Sequence, residues 1–185
     1  MIREIVIYGD PVLRTKGKPV MEITDEVRQL AADMLDTMHE ANGVGLAAQQ
    51  VGVAVQLTVI DVRDAAASRP SRMWINGEEV EPNDRMPLCL VNPQVEAGRE
   101  MEVGAEGCLS FPDVTADIAR AAHVRVCALD LDGRPLEFEA EGLLARAVQH
   151  EVDHLNGILF IDRMNSAARA ALGGRLKRLA AGSVR

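Results

Sequence analysis

Leu143-Leu144-Ala145-Arg146-Ala147-Val148-Gln149-His150-Glu151-Val152-Asp153-His154-Leu155-Asn156-Gly157 is the stretch around which the rest of the chain is arranged. Leu143, Leu144, Ala147 and Leu155 recur at helical spacing and give the segment a buried side, while Asn156-Gly157 supplies the stop. Inside it, His150-Glu151-Val152-Asp153-His154 is an H-E-x-x-H. Histidines four apart share one helical face, so both imidazoles can reach one metal ion. Glu151 sits beside the first ligand, where a carboxylate can take a proton from water at the metal. Three fixed residues in five also arise by chance on a solvated helix. The apolar side of this helix argues against that alternative.

A catalytic metal site needs a third protein ligand and an open fourth position. No Glu follows Glu151 and no His follows His154; Phe160 stands where a metzincin pattern places its third His, although Gly157 is in place. Asp162 is the only later acid. The third ligand is therefore expected upstream, among His39, His123, Cys89, Cys108 and Cys127. His39 falls in the last turn of the first helix, where a His commonly complements the dipole. His123 and Cys127, four apart in a strand, share a face; a core or half-buried role suits Cys127, and Cys89 in its apolar run reads as a packed thiol. Cys108 differs. It lies in Glu106-Gly107-Cys108-Leu109-Ser110-Phe111-Pro112, bounded by Gly and Pro, where a side chain can be presented at a cleft and a cation can stabilise a thiolate.

Working outward, Val27, Leu30, Ala31, Met34, Leu35 and Met38 predict a helix over 23–41, with Thr24 as N-cap and Asn42-Gly43 as stop. The Gly-rich, apolar 43–52 follows, then 53–62 reads as a strand. Pro70, Asn76-Gly77 and Pro82-Asn83-Asp84 make 63–85 a long surface loop, with room for a small hairpin. Residues 86–95 read as a short strand that Pro93 ends or pushes to an edge. Two β-rich runs flanking Asp132-Gly133 predict a hairpin over 124–142. A last amphipathic stretch over 166–180 is weakened by Gly173-Gly174. The order predicts an α+β fold: mostly antiparallel strands around a central metal-binding helix, with an N-terminal and a C-terminal helix.

A chain of 185 residues is long enough for one sizeable core and short for two, so residues 1–185 are expected to form a single catalytic domain. At 48% hydrophobic and 26% charged, it does not match disordered, collagen-like or coiled-coil sequences. No apolar run approaches the roughly 20 residues that span a bilayer. The N-terminus has neither a secretory h-region nor the Arg/Ser-rich character of a transit peptide, so a cytoplasmic location is expected. Three cysteines cannot all pair, and no C-x-x-C occurs. The net charge of −8 argues against a dedicated nucleic-acid binder, and neither membrane nor specific DNA is an expected partner. That charge is uneven. Residues 163–185 hold Arg163, Arg169, Arg175, Lys177, Arg178 and Arg185 and no acid, a +6 tail on a body of −14.

The chain resembles the peptide deformylase family in three segments. Gly43-Val44-Gly45-Leu46-Ala47-Ala48-Gln49-Gln50 is similar to G-x-G-L-A-A-x-Q, Glu106-Gly107-Cys108-Leu109-Ser110 to E-G-C-L-S, and His150-Glu151-Val152-Asp153-His154 to H-E-x-D-H. They stand in the family's order, and the likeness runs over nearly the whole chain. The resemblance implies a metallohydrolase that removes the N-formyl group from the initiator methionine of a nascent polypeptide, releasing formate. It implies one divalent ion on Cys108, His150 and His154, with Fe2+ native and Zn2+, Ni2+ or Co2+ able to replace it. Glu151 is then the general base, with the Gln50 side chain and the Leu109 N–H as oxyanion donors.

Gly43, Val44, Gly45, Leu143 and Ala147 are the expected substrate-binding positions, and the resemblance implies that the substrate backbone pairs with an edge segment nearby. Core packing explains Val44, Leu143 and Ala147 equally well, and the two glycines also suit a helix stop. Glu106 is expected to orient a ligand or pair with an Arg such as Arg120, and Asp153 to anchor the helix. Two departures stand out. The 63–85 loop is longer than in compact members, and Thr115 stands where many members carry an Arg. The rival readings are a zinc peptidase acting on unformylated peptides through the same H-E-x-x-H, and a structural metal site in an interaction module. For the basic tail, ribosome docking competes with a solvated amphipathic helix covering the sheet.

Overall fold

The computed structural model describes residues 1–182; Arg185, counted in the basic tail, lies outside them. The first apolar repeat forms α1, Asp25–Glu40, with Thr24 at the N-cap position. Asn42, at φ 53°, turns the chain out of the helix; Asn is one of the few residues besides Gly that tolerate this conformation. After it come β1 (Gly45–Ala47), a 3-10 turn over Ala48–Val51, and β2 (Leu57–Ile60), antiparallel to β1. The strand expected over 53–62 is thus confined to its centre. Its N-terminal flank is held by turn bonds instead, such as Val53 N–H to the Ala48 carbonyl at 3.0 Å.

The segment 63–85 is more than a loop. β3 (Ser71–Ile75) and β4 (Glu78–Val80) form a hairpin across Asn76-Gly77, both at positive φ. β3 then pairs with β9 (Pro135–Gly142), so the hairpin extends the main sheet. Only Met73 of β3 is fully buried, which is why the segment looks loop-like in sequence. Pro93 likewise does not end its strand. β5 (Leu88–Ala97) runs through it in the sheet interior, between β2 and β8 (His123–Leu129). A register shift between Val91 and Gln94 takes Asn92 and Pro93 out of the ladder, absorbing the missing N–H. Asn92, at φ 50°, exchanges two 2.8 Å side-chain bonds with the Val20 backbone.

The expected hairpin about Asp132-Gly133 is β8–β9. A second hairpin, unanticipated, is made by β6 (Met101–Cys108) and β7 (Phe111–Ala121), which form a separate two-stranded sheet. The main sheet has seven strands in the order β1-β2-β5-β8-β9-β3-β4, all neighbours antiparallel. With α2 (Leu143–Leu155) against it, the architecture is the α+β arrangement predicted. The C-terminal stretch divides at Leu172 into α3 (Ser166–Ala171) and α4 (Gly173–Ala180), where the two glycines weaken it.

Packing places α2 at the centre. Leu143, Leu144, Ala147 and Val148 meet Val124, Val126, Phe138 and Ala140 of the sheet. Leu30, Met34 and Met38 of α1 close over β1 and β2 from their own cluster. Leu176 and Leu179 of α4 bury against Leu13, Phe111, Ile118 and Phe160. The 63–85 segment also caps α2: Leu143 N–H donates to the Pro70 carbonyl (3.2 Å) and Leu144 N–H to Ser71 Oγ (2.9 Å). Gly142 precedes at φ 70°, where a Cβ would run into the Pro70 oxygen, so the entry to the helix admits only glycine. Among the described residues no helix is long and apolar enough to cross a membrane.

Candidate metal centre

One turn of α2 carries His150 and His154 on a single face, and β6 delivers Cys108 to the same point from the hairpin. Cys108 Sγ lies 3.3 Å from His154 Nε2, and the two Nε2 atoms are 3.2 Å apart. All three candidate ligand atoms lie within 4.8 Å of one another. With metal–ligand bonds of about 2.0–2.3 Å, the two shorter separations correspond to angles of about 100° at a common centre, close to tetrahedral. The donors therefore fit one divalent ion.

The other upstream candidates are placed elsewhere. His39 Nε2 is 3.0 Å from Asp61, and His123 Nε2 is 2.8 Å from Glu139. Cys89 is half-buried beside the α1 cluster, and burial pushes its thiol up to about 11. Cys127 is half-buried on the face of β8 shared with His123 and Arg125, away from the core-facing Val124, Val126 and Ala128. It is not a core packing residue, because strand alternation sends it to the other side.

Behind the three candidate ligands lies a buried ionic network. Glu106 Oε1 is 2.8 Å from His150 Nδ1, which fixes the ring so that Nε2 faces the centre. Arg120 grips Glu106 in a bidentate pair at 2.9 Å and reaches Asp153 at 2.5 Å. Arg163 adds a second clasp on Asp153 at 2.7 Å, so Asp153 anchors the helix as expected. Burial raises the Glu106 carboxyl, but hydrogen bonds from His150 and Arg120 outweigh it and hold it at about 2. Burial, reinforced by the His150 charge, pushes His154 well below its usual range, which suits a neutral imidazole ligand.

Arg146 went unnoticed in the sequence. It donates to Glu106 (2.9 Å) and to the Glu102 and Ile118 carbonyls (2.8 Å each), tying both strands of the hairpin to α2. Its place one turn before His150, on the ligand face, was the available signal.

Glu151 is buried beside the ligands, and its Oε2 has no hydrogen-bond partner among the described residues. Burial pushes its carboxyl up to about 7, against the opposing charge of His150. Gly45 approaches it so closely that a Cβ there would sit 2.5 Å from Oε1. At Gly43 a Cβ would meet Leu109 Cδ1 at 2.8 Å. Gln50 Oε1 accepts from Ala47 N–H at 2.9 Å, which turns the amide NH2 toward Cys108 Sγ (3.5 Å) and Ser110 Oγ (3.2 Å). A cleft of about 490 Å³ opens over these groups, lined among others by Val44, Leu109, Leu143 and Ala147. The site residues expected from the three motifs thus meet at one place.

The profile of the polypeptide deformylase family matches residues 2–170. The chain belongs to the polypeptide deformylase family. It is 44% identical over 182 residues to a peptide deformylase of Methylacidiphilum infernorum, covering 98% of this chain and 95% of that one. Its fold superposes with TM-score 0.82 on the peptide deformylase of Thermus thermophilus (36% identity, 98% of this chain and 99% of that one). With the Synechococcus elongatus peptide deformylase, solved in complex with actinonin, the TM-score is 0.79 at 39% identity (99% and 90% covered). Deformylases are metallohydrolases of protein biosynthesis that remove the N-formyl group from nascent polypeptides. Membership therefore supports the activity expected from the three motifs and does not favour a peptidase using the same H-E-x-x-H.

Proposed function

We propose that Cys108, His150 and His154 hold one divalent ion, Fe2+ in the cell, with Zn2+, Ni2+ or Co2+ able to replace it, and that Glu151 works beside it as the general base. When bound, the ion supplies Lewis acidity: it makes a hydroxide nucleophile available near neutral pH and polarises the formyl carbonyl. Glu151 accepts the water's proton and passes it to the departing amine of the methionine. The Glu151 carboxylate is buried beside the ligands and its Oε2 has no hydrogen-bond partner among the described residues, which suits it to that shuttle. The Gln50 NH2, held toward Cys108 by its bond to Ala47, and the Leu109 N–H are the donors for the tetrahedral oxyanion. Gly43, Val44 and Gly45 form one wall for the substrate, and Leu143 and Ala147 floor the methionine pocket.

The observation that carries this reading is the convergence of three ligand atoms beside a buried carboxyl at the base of an open cleft. Protein purified anaerobically should release formate from formyl-Met-Ala-Ser. Glu151→Ala should abolish release while retaining the metal by elemental analysis, and release that survives would refute the assigned base. The same elemental analysis identifies the ion.

The substrate is a cytoplasmic nascent chain, which raises the question of the basic C-terminal flank. Leu176 and Leu179 share a core cluster with Phe111, which supports residues 1–185 acting as one unit. Arg163, Arg169 and Arg175 are engaged with Asp153, Asp162 and Asp113. Lys177 and Arg178, exposed on α4 and without an ion pair among the described residues, carry what remains of a phosphate-docking role on ribosomal RNA. Replacing both with Glu should weaken ribosome co-sedimentation in low salt; unchanged binding discards the role.

A further inference from the structure

Arg69 takes no part in the metal centre, yet it lines the same cleft as Gly107, Cys108 and Thr115. Its side chain is exposed and makes no ion pair among the described residues; its Nη2 donates to the neutral Ala105 carbonyl at 3.1 Å. The other permanent charges around the cleft are spoken for. Glu106 and Arg146 pair with each other, and Asp113 faces Arg175 at 3.6 Å. Arg69 is thus a guanidinium with donors to spare at the mouth of the site, on a body of acidic net charge.

Its contact with β6 gives it a meaning. One edge of β6 pairs with β7 along its length, and the other pairs with no strand among the described residues. Arg69 reaches the Ala105 carbonyl from that open side. Backbone groups two residues apart point the same way, so Gly107 presents its N–H and C=O there too. An extended peptide added to this edge, with its formyl group at Cys108, lays its methionine beside Gly107 and runs back toward Ala105. Its third residue then lies beside Ala105, within reach of Arg69. Thr115, opposite Gly107 on β7, contributes no charge.

We infer that Arg69 reads the third residue of the formylated chain and favours an acidic side chain there. This rests on the cleft being the formyl-peptide site. C-terminally amidated peptides are the suitable probes, because a free terminal carboxylate would itself engage Arg69. Formate release is compared for formyl-Met-Ala-Glu, formyl-Met-Ala-Gln and formyl-Met-Ala-Lys amides. The Glu peptide should exceed the Lys peptide in kcat/KM by about two- to fivefold at low ionic strength, the range of an exposed ion pair, mainly through KM. Added salt should shrink the ratio.

Arg69→Ala should bring the ratio to about one, and Arg69→Glu should invert it. A wild-type ratio of one, or a ratio untouched by Arg69→Ala, overturns the inference. So does a preference that follows Glu at the second position rather than the third. The neutral Gln peptide reports the activity separately: if it yields no formate, the deformylase reading of the cleft fails, whereas turnover without discrimination removes only the role of Arg69.

Discussion

Gly45 and Glu151 show how much of the site rests on single atoms. A methyl at Gly45 would lie 2.5 Å from Glu151 Oε1, a separation only a displaced carboxylate can relieve. Gly45→Ala should therefore lower kcat by about 10²- to 10⁴-fold, the contribution of a positioned general base, with metal content unchanged by elemental analysis. Gln50→Ala removes a donor held in place by Ala47 and should cost about 10²- to 10³-fold in kcat, with metal again retained. The identities of these residues were legible because their chemistry is written in short motifs. The packing of Gly45 on Glu151 was not, since nothing local relates residues so far apart in sequence.

At the scale of elements, the candidate metal centre is a seam between α2 and the β6–β7 hairpin, and Arg146 sews it. Arg146→Met leaves the Glu102 and Ile118 carbonyls without this donor and Glu106 with Arg120 as its only arginine partner; breaking a buried ionic network typically costs about 3–5 kcal/mol, measurable by chemical denaturation. Because Cys108 would then be held less firmly against the histidines, the variant should also lose metal faster to a chelator.

A second junction ties the end of α1 to β2, where Asp61 takes Arg63 at 2.6 Å and His39 at 3.0 Å. Burial raises the Asp61 carboxyl, but Arg63, through side chain and backbone, and His39 outweigh it and lower it from 3.8 to about 2. A depressed carboxylate stabilises the fold above its unfolded pKa, and that contribution fades as pH falls through the folded one. The stability difference between the wild type and Asp61→Asn should thus be level above about pH 4 and shrink between pH 4 and 2.

For the whole molecule, the decisive test is removal of the metal. Each proposed ligand sits on an element with its own core, α2 on the main sheet and the hairpin tip against Phe111 and Phe160. Chelation should lower Tm, by an amount corresponding to about 2.7 kcal/mol when free ion stands at a hundredfold of Kd, while circular dichroism keeps its folded signature. A purely structural site would unfold instead.

Local patterns were enough for the central helix, its two histidines, the Asp132-Gly133 hairpin, the break at Gly173-Gly174 and the family, because each depends on residues within a few positions. They failed where distant segments complete one another. Pro93 stays inside a central strand because Asn92 finds its partners at Val20. The 71–80 hairpin becomes sheet because β9 is there to pair with it. Cys108 meets the two histidines, and Cys127 does not, because the β6–β7 hairpin is drawn onto α2 by Arg120 and Arg146. Motifs name the chemistry of a site through residue type and spacing, which the chain carries locally. Assembly of that site depends on burial and long-range pairing, which exist only once the chain has folded upon itself.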